Sequence, residues 1–305
     1  MDTDTNIEDL KKTIQEKLGS NITLFTLKGK GAVNNAYYIE TEDGKRYIVK
    51  QEREDKEFQP QNDLVVEASV IQELCNLDLS VSIPNVAFVS ESPKMYGYEY
   101  IDGDLLKNVW NDLSEAERVD ICRNLGKFHA EIGQKFTKDM AEKSGIKIDM
   151  SIGLHPEVFA DYYRLIVEEG TPEDFKILVK QAKNIFDGIE GDFFFQFLHN
   201  DSHHENIIIK DKNISGIIDF GNAEYGEITK EFSRYIRDFP NHFKYIVSAY
   251  EEMSGNKLSY ERLISNAFIS DFVDVVEDYA KGGEKREKAK IAIEKYRRLM
   301  DGPRQ

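Results

Sequence analysis

"FLHNDSHHENIIIK", Phe197–Lys210, places three of the chain's six histidines within six residues, among Asn200, Asp201, Glu205 and Asn206. The stretch admits two readings. Imidazoles at short spacing suit zinc, yet no Cys pair and no H-E-x-x-H accompany them. His203 and His204 are adjacent, so they would point in different directions on a helix or a strand. The second reading takes the amide and the carboxylates instead. Asn206 opens an isoleucine-rich run, and a matching run ends in Asp219-Phe220-Gly221, with Asp211-Lys212-Asn213 as the turn between them. Pairing those runs brings Asn206 beside Asp219. Both offer the hard oxygen ligands that Mg²⁺ takes. Asp201, on the loop before, is then placed to face a metal-bound phosphate and accept the proton of an attacking hydroxyl. That layout is what phosphoryl transfer requires.

Composition sets the frame for this reading. A chain of 305 residues, 40% hydrophobic and 31% charged, has room for two packed lobes and the balance of a folded soluble protein. A net charge of −16 argues against a nucleic-acid partner, because phosphate contacts need clustered Lys and Arg. No apolar run is long enough to span a membrane, and the opening "MDTDTNIEDLKK" is acidic, unlike a signal peptide. The two cysteines, Cys75 and Cys122, make no disulfide framework, and a cytoplasmic setting is expected.

Residues from about 20 to 100 read as strands with one helix. "NITLFTLKGKG" and "NNAYYIETEDGKRYIVKQE" are β-rich, Asp43-Gly44 forms a hairpin turn, and Leu64–Cys75 has a helical apolar period with Asn62 or Asp63 as its cap. "PNVAFVSESPKMYGYEYIDG" is again strand-like, broken at Ser92-Pro93. Beyond Gly103 helices dominate. Ser114, Glu115 and Glu117 open one with a capping signature, and others are expected at Pro156–Glu169, Pro172–Gly188, Thr229–Phe239, Phe243–Ser254 and Tyr260–Lys281. One β island, the hairpin ending at Asp219, interrupts them. The expected fold is α+β and bilobal: a β-rich lobe over residues 1–100, a hinge at about 97–103, and a mainly helical lobe over 101–305 with a helical subdomain at about 135–192.

"H-N-D-x-x-x-x-N" followed by "I-I-D-F-G" resembles the catalytic loop and metal-binding triplet of the protein-kinase-like superfamily. It is more closely similar to the aminoglycoside phosphotransferase family, whose loop commonly reads H-G-D-x-H-x-x-N and so accounts for His203. His204 and Glu205 stand where that family often has Pro and Gly. Asn200 replaces the protein kinases' Arg, and no A-P-E segment follows. The resemblance covers roughly residues 20–235 in order. It implies an enzyme moving the γ-phosphoryl of Mg²⁺-bound ATP or GTP to a small-molecule hydroxyl, with Asp201 catalytic, Asn206 and Asp219 on the metal, and His199 bracing the loop. Upstream, Gly29, Gly31 and Asn34 fall on the phosphate-covering loop. Lys50 ends "RYIVK" like the lysine of V-A-I-K, and Glu67, in an apolar stretch of helix, is its natural counter-ion. The backbone of Glu99, Tyr100 and Ile101 falls at the hinge, where the purine is expected.

The family's polycationic acceptors imply carboxylates in the helical lobe. Glu231 is one candidate, after a segment in which Glu227 and Ile228 stand for the family's Asp and Pro. Asp271, Asp274 and Asp278 form an acidic border along "FISDFVDVVEDYA", and Asp161 and Glu168 are secondary candidates. A cationic aminoglycoside is therefore the expected substrate, with choline, a methylthio sugar, a macrolide or homoserine as alternatives. A nucleotide-binding pseudokinase scaffold is the rival of another class, opposed by the complete Asp201, Asn206, Asp219 set. No obligate protein partner is expected.

Overall fold

The computed structural model describes residues 3–56, 60–151, 192–264 and 266–267, with single helical positions at 173, 176, 177, 284, 287, 290, 291, 294, 295 and 298. Its architecture is α+β and bilobal. Strands β1 (Ile22–Lys30), β2 (Asn34–Thr41), β3 (Arg46–Glu52), β4 (Val86–Glu91) and β5 (Lys94–Glu99) form one antiparallel sheet in the order β1-β2-β3-β5-β4. Side chains of β2, β3 and β5 alternate between two covered faces, whereas the edge strand β1 is mostly exposed. Tyr37, Ile39, Tyr47, Val49, Phe88 and Met95 pack on one face against Leu10 and Ile14 of helix α1 (Thr3–Leu18). The sequence reading placed no helix before residue 20. The period was there in Leu10, Ile14 and Leu18, but acidic and lysine residues fill the intervening positions. Burial of Leu10 and Ile14, at about 1.5–3 kcal/mol each, holds α1 to the sheet.

The other face receives α2 (Leu64–Cys75). Asp63 caps it, its Oδ1 accepting from the N–H groups of Val65 and Val66 at 3.0 Å each. Leu64, Ala68, Ile71 and Leu74 join Tyr96 and Tyr98 in a core that continues into the helical lobe. There α4 (Glu115–Lys135) starts at a complete capping box between Ser114 and Glu117, after the short β6 (Asp104–Leu105) and α3 (Leu106–Val109). It is followed by α5 (Lys138–Ser144) and β7 (Lys147–Ile148).

The segment around the loop contains β8 (Phe195–Leu198), β9 (Ile207–Lys210), β10 (Asn213–Ile217) and β11 (Glu224–Glu227). Strands β9 and β10 form the expected hairpin, turned at Asp211 and Lys212 with φ of 50° and 65°, and β6 extends it. A second small sheet, β7-β11-β8, was not expected. Its strands are too short to show a period, and "EYGE" reads as polar. Helices α6 (Thr229–Asp238) and α7 (Phe243–Ser254) follow, and residues 260–264 and 266–267 are again helical. α7 packs directly on α4: a Cβ at Gly126 would lie 2.1 Å from the Ile246 carbonyl oxygen, so only glycine allows this approach. No helix among the described residues is long and apolar enough to cross a membrane. The expected helices at Pro156–Glu169 and Pro172–Gly188 fall almost wholly outside the described residues, as does most of that at Tyr260–Lys281.

Candidate active site

Strand alternation aims Lys50 at α2, because Tyr47 and Val49 occupy the opposite face of β3. The Lys50 ammonium donates to Glu67 Oε1 at 2.7 Å and to Asp219 Oδ1 at 2.8 Å. Lys50 and Glu67 are buried, whereas the Asp219 side chain is 42% exposed to the cleft. Burial opposes the charge on Lys50, but Asp219 and Glu67 together outweigh it and raise its pKa. Burial raises the Glu67 carboxyl despite the ammonium beside it. For Asp219, burial works against ionisation and the Lys50 ammonium prevails, holding the carboxyl below its ordinary value.

Glu67 also joins the two lobes. Its Oε1 accepts the Phe220 N–H at 3.0 Å, while Asn62 N–H donates to the Gly221 carbonyl at 3.2 Å and Asn62 Nδ2 to that of Ala223 at 2.8 Å. Asp219 takes a left-handed backbone, φ 68°, which separates its carboxylate from the inward-facing Phe220. Phe220 is buried against His199 and Phe197.

The loop histidines diverge. His199 is buried, its Nδ1 accepting the Asp201 N–H at 3.2 Å and its Nε2 donating to the Ile218 carbonyl at 3.0 Å. That pairing fixes a neutral ring, and burial lowers its pKa in the same sense. His203 stands 3.6 Å from Asp201 Oδ1, and His204 stacks on Phe239 with centroids 4.2 Å apart. No three His, Cys, Asp or Glu side chains converge as a metal site among the described residues, so the zinc reading has no support there.

Asp201 and Asn206 interlock instead. Asn206 Nδ2 donates to the Asp201 carbonyl at 2.8 Å and to Asp201 Oδ2 at 3.2 Å. Ile218 N–H donates to the Asn206 carbonyl at 3.0 Å, which sets Asn206 next to Asp219 across the hairpin. With its Nδ2 engaged, Asn206 keeps its Oδ1 for a ligand. An amide oxygen and a partly exposed carboxylate are a donor set that would fit Mg²⁺.

A cleft of about 340 Å³ gathers Gly29, Gly31, Asn34, Lys50, Glu67, Asp201 and Asp219 along its wall. The Gly31 N–H donates to the Asn34 carbonyl at 2.9 Å, closing the β1–β2 turn, and the Arg53 guanidinium donates to the Gly31 carbonyl. Asn34 Oδ1 is buried without a hydrogen-bond partner among the described residues. That oxygen is an acceptor, so it suits a ligand N–H or O–H and not a phosphate oxygen. At the hinge the picture narrows. The N–H groups of Glu99 and Tyr100 are bonded to the Asn85 and Arg46 carbonyls, both at 2.9 Å, so they are not available to a base as expected.

Glu231 is not where a substrate ligand should be. It is fully buried beneath the loop, its Oε2 accepting the Asn200 N–H at 2.6 Å and its Oε1 the Ser202 hydroxyl. Tyr235 and His129 close the pocket around it. Its sequence spacing marked it as functional, but charge alone could not tell a buried brace from a cleft carboxylate. Glu227 is likewise buried, against Thr229 and Arg262. Asp271, Asp274, Asp278, Asp161 and Glu168 lie outside the described residues. Conversely, Arg234 escaped the sequence reading. Its Nη1 lies 3.4 Å from Asp201 Oδ1. The signal was its place three residues after Glu231, on the helix face that supports the loop.

A model of the Phosphotransferase enzyme family matches residues 26–247. The chain belongs to this family. Membership makes it a small-molecule kinase, in keeping with the nucleotide-side set just described. Solved structures of similar fold include the GDP complex of an aminoglycoside 2'-phosphotransferase, 14% identical over 96% of this chain and 98% of that one, with a TM-score of 0.72. A macrolide 2'-phosphotransferase type I gives 14%, the same coverages and 0.67. The macrolide 2'-phosphotransferase of Brachybacterium faecium gives 16%, 94% and 98%, and 0.64. At these identities the likeness concerns the fold. No curated protein sequence matches the chain.

Proposed function

We propose that this family member transfers the γ-phosphoryl group of ATP or GTP to a hydroxyl of a small molecule, with Asp201 as the general base. The observation that carries this is the convergence of Lys50, Asp219 and Asp201 on one cleft beneath the Gly29–Asn34 turn. Lys50, steadied by Glu67, meets the α and β phosphates. The turn covers them, and the Ile101 N–H and Glu99 carbonyl are the hinge groups for the base. Asn206 and Asp219 would hold Mg²⁺, which would neutralise phosphate charge. As the acceptor oxygen bonds to the γ-phosphorus, its proton passes to Asp201. The bond from that phosphorus to the β–γ bridging oxygen breaks, and nucleoside diphosphate leaves. Positioning and charge neutralisation supply most of the acceleration, because the transition state is loose.

The chain's acidity and the gentamicin and streptomycin held by other solved structures of this fold favour a cationic aminoglycoside, an acceptor class from which the surroundings of Asp201 depart as argued below. Of the carboxylates expected to bind it, however, Glu231 serves the loop. Asp201→Asn tests the reading directly. Melting-temperature shifts with Mg-ATP should persist while turnover falls about 10²–10⁴-fold. Turnover near the wild-type rate would remove Asp201 from its role.

A further inference from the structure

The two oxygens of Asp201 have different surroundings. Oδ2 is held from inside by Asn206, whereas Oδ1 faces the Arg234 guanidinium at 3.4 Å and the His203 ring at 3.6 Å. The Arg234 side chain is 36% exposed. Of its five N–H donors, only one at Nη1 has a protein partner among the described residues, and that contact is long. His203 also lines a cavity of about 510 Å³ with Trp110 and His204, which therefore opens beside the catalytic carboxylate. Arg234 stands next to that cavity through Asp201 and His203 rather than on its wall, and the cations that do line it face carboxylates: Lys107 pairs with Glu205 at 3.0 Å and Arg237 with Asp238 at 2.9 Å. Among the described residues Arg234 has only Asp201. An acceptor amine brought next to the reacting hydroxyl would meet this guanidinium and the imidazole, whereas an anion would be gripped by a donor fork.

We propose that Arg234 is the acceptor-recognition residue and that the acceptor is a hydroxyl compound carrying a carboxylate or phosphate. This rests on the phosphotransfer reading above. The anionic group docks on Arg234, the rest of the acceptor occupies the Trp110–His204 cavity, and the hydroxyl lies at Asp201. There its proton passes to the carboxylate as its oxygen displaces nucleoside diphosphate from the γ-phosphorus.

The test is a coupled phosphotransfer assay with Mg-ATP on the full chain. Its acceptors are hydroxy acids and sugar phosphates, each beside its neutral polyol and amino analogue, with kanamycin and choline alongside. Turnover of an anionic acceptor in preference to its neutral and amino partners is expected, and the preferred subset distinguishes carboxylate from phosphate. In Arg234→Gln the KM for that acceptor should rise by about 10–150-fold, the range for losing a hydrogen bond to a charged group, with kcat changed far less. Arg234→Lys should recover part of the loss. Turnover confined to cationic or neutral acceptors, failure of every anionic acceptor, or an unchanged acceptor KM in Arg234→Gln would each overturn the proposal. Nucleotide binding with kanamycin as the acceptor sinks this inference alone. Absence of any Mg-ATP-dependent thermal shift would sink the phosphotransfer reading beneath it.

Discussion

The Asn200 N–H donates to the buried Glu231 carboxylate at 2.6 Å, so the backbone just before Asp201 hangs on a side chain from α6. Asn200 itself is left-handed, φ 59°, a conformation that Asn tolerates better than most residues. Glu231→Ala would leave that N–H unmet in a buried site and the Ser202 hydroxyl with Tyr235 as its one remaining partner among the described residues. A loss of about 3–5 kcal/mol is expected in chemical denaturation, with turnover reduced as the loop shifts. A stable variant with full activity would show that the loop holds itself.

Acid should loosen the same network. Burial lowers the pKa of His129 to about 4, only partly offset by Glu231 beside it. A neutral buried histidine stabilises the fold above the unfolded value near 6.5, and that contribution fades as pH falls toward 4. It amounts to about 3 kcal/mol. Melting temperature followed from pH 7 to pH 4 should drop more steeply in the wild type than in His129→Gln. Equal slopes would assign the acid sensitivity elsewhere.

Lys50 and Glu67 form a buried pair, 2.7 Å apart, and the cost of breaking it should depend on which half remains. Lys50→Met strands a buried carboxylate and is expected to cost about 3–5 kcal/mol, whereas Lys50→Met with Glu67→Leu should recover part of that loss. Denaturant titration of these two variants and of Glu67→Leu alone reads the difference. Additive losses would mean that the charges act independently. Nucleotide affinity should fall in both, because the ammonium is absent from each.

Asn206 and Asp219 are expected to set the Mg²⁺ requirement. Asn206→Ala, which also frees Asp201 Oδ2, should raise the Mg²⁺ concentration for half-maximal turnover by about an order of magnitude. Asp219→Asn should abolish turnover and also remove one charge from Lys50. An Mg²⁺ titration of phosphotransfer checks both, and an unchanged requirement in Asn206→Ala would take Asn206 off the metal.

Much of the fold was legible because it is local. The Asp63 and Ser114 caps, the Asp211-Lys212 turn and the helical period of Leu64–Cys75 all act within a few residues. The hairpin also juxtaposed Asn206 with Asp219, and the order of weak signals from Gly29 to Asp219 pointed to the cleft. The helix α1 and the sheet β7-β11-β8 were not legible, the first for its mixed charge and the second for strands too short to alternate.

What the sequence determined by itself was the chemistry on offer: which residues could hold a phosphate, a divalent ion and a proton, and in what order they come along the chain. Tertiary structure alone decided which way each charged side chain faces. Glu231 and Asp201 are both acids near the same loop, yet one is fully buried and holds backbone while the other is partly exposed beside Arg234. A carboxylate's role depends on the donors around it and on its distance from water, and residues far apart in the chain supply both.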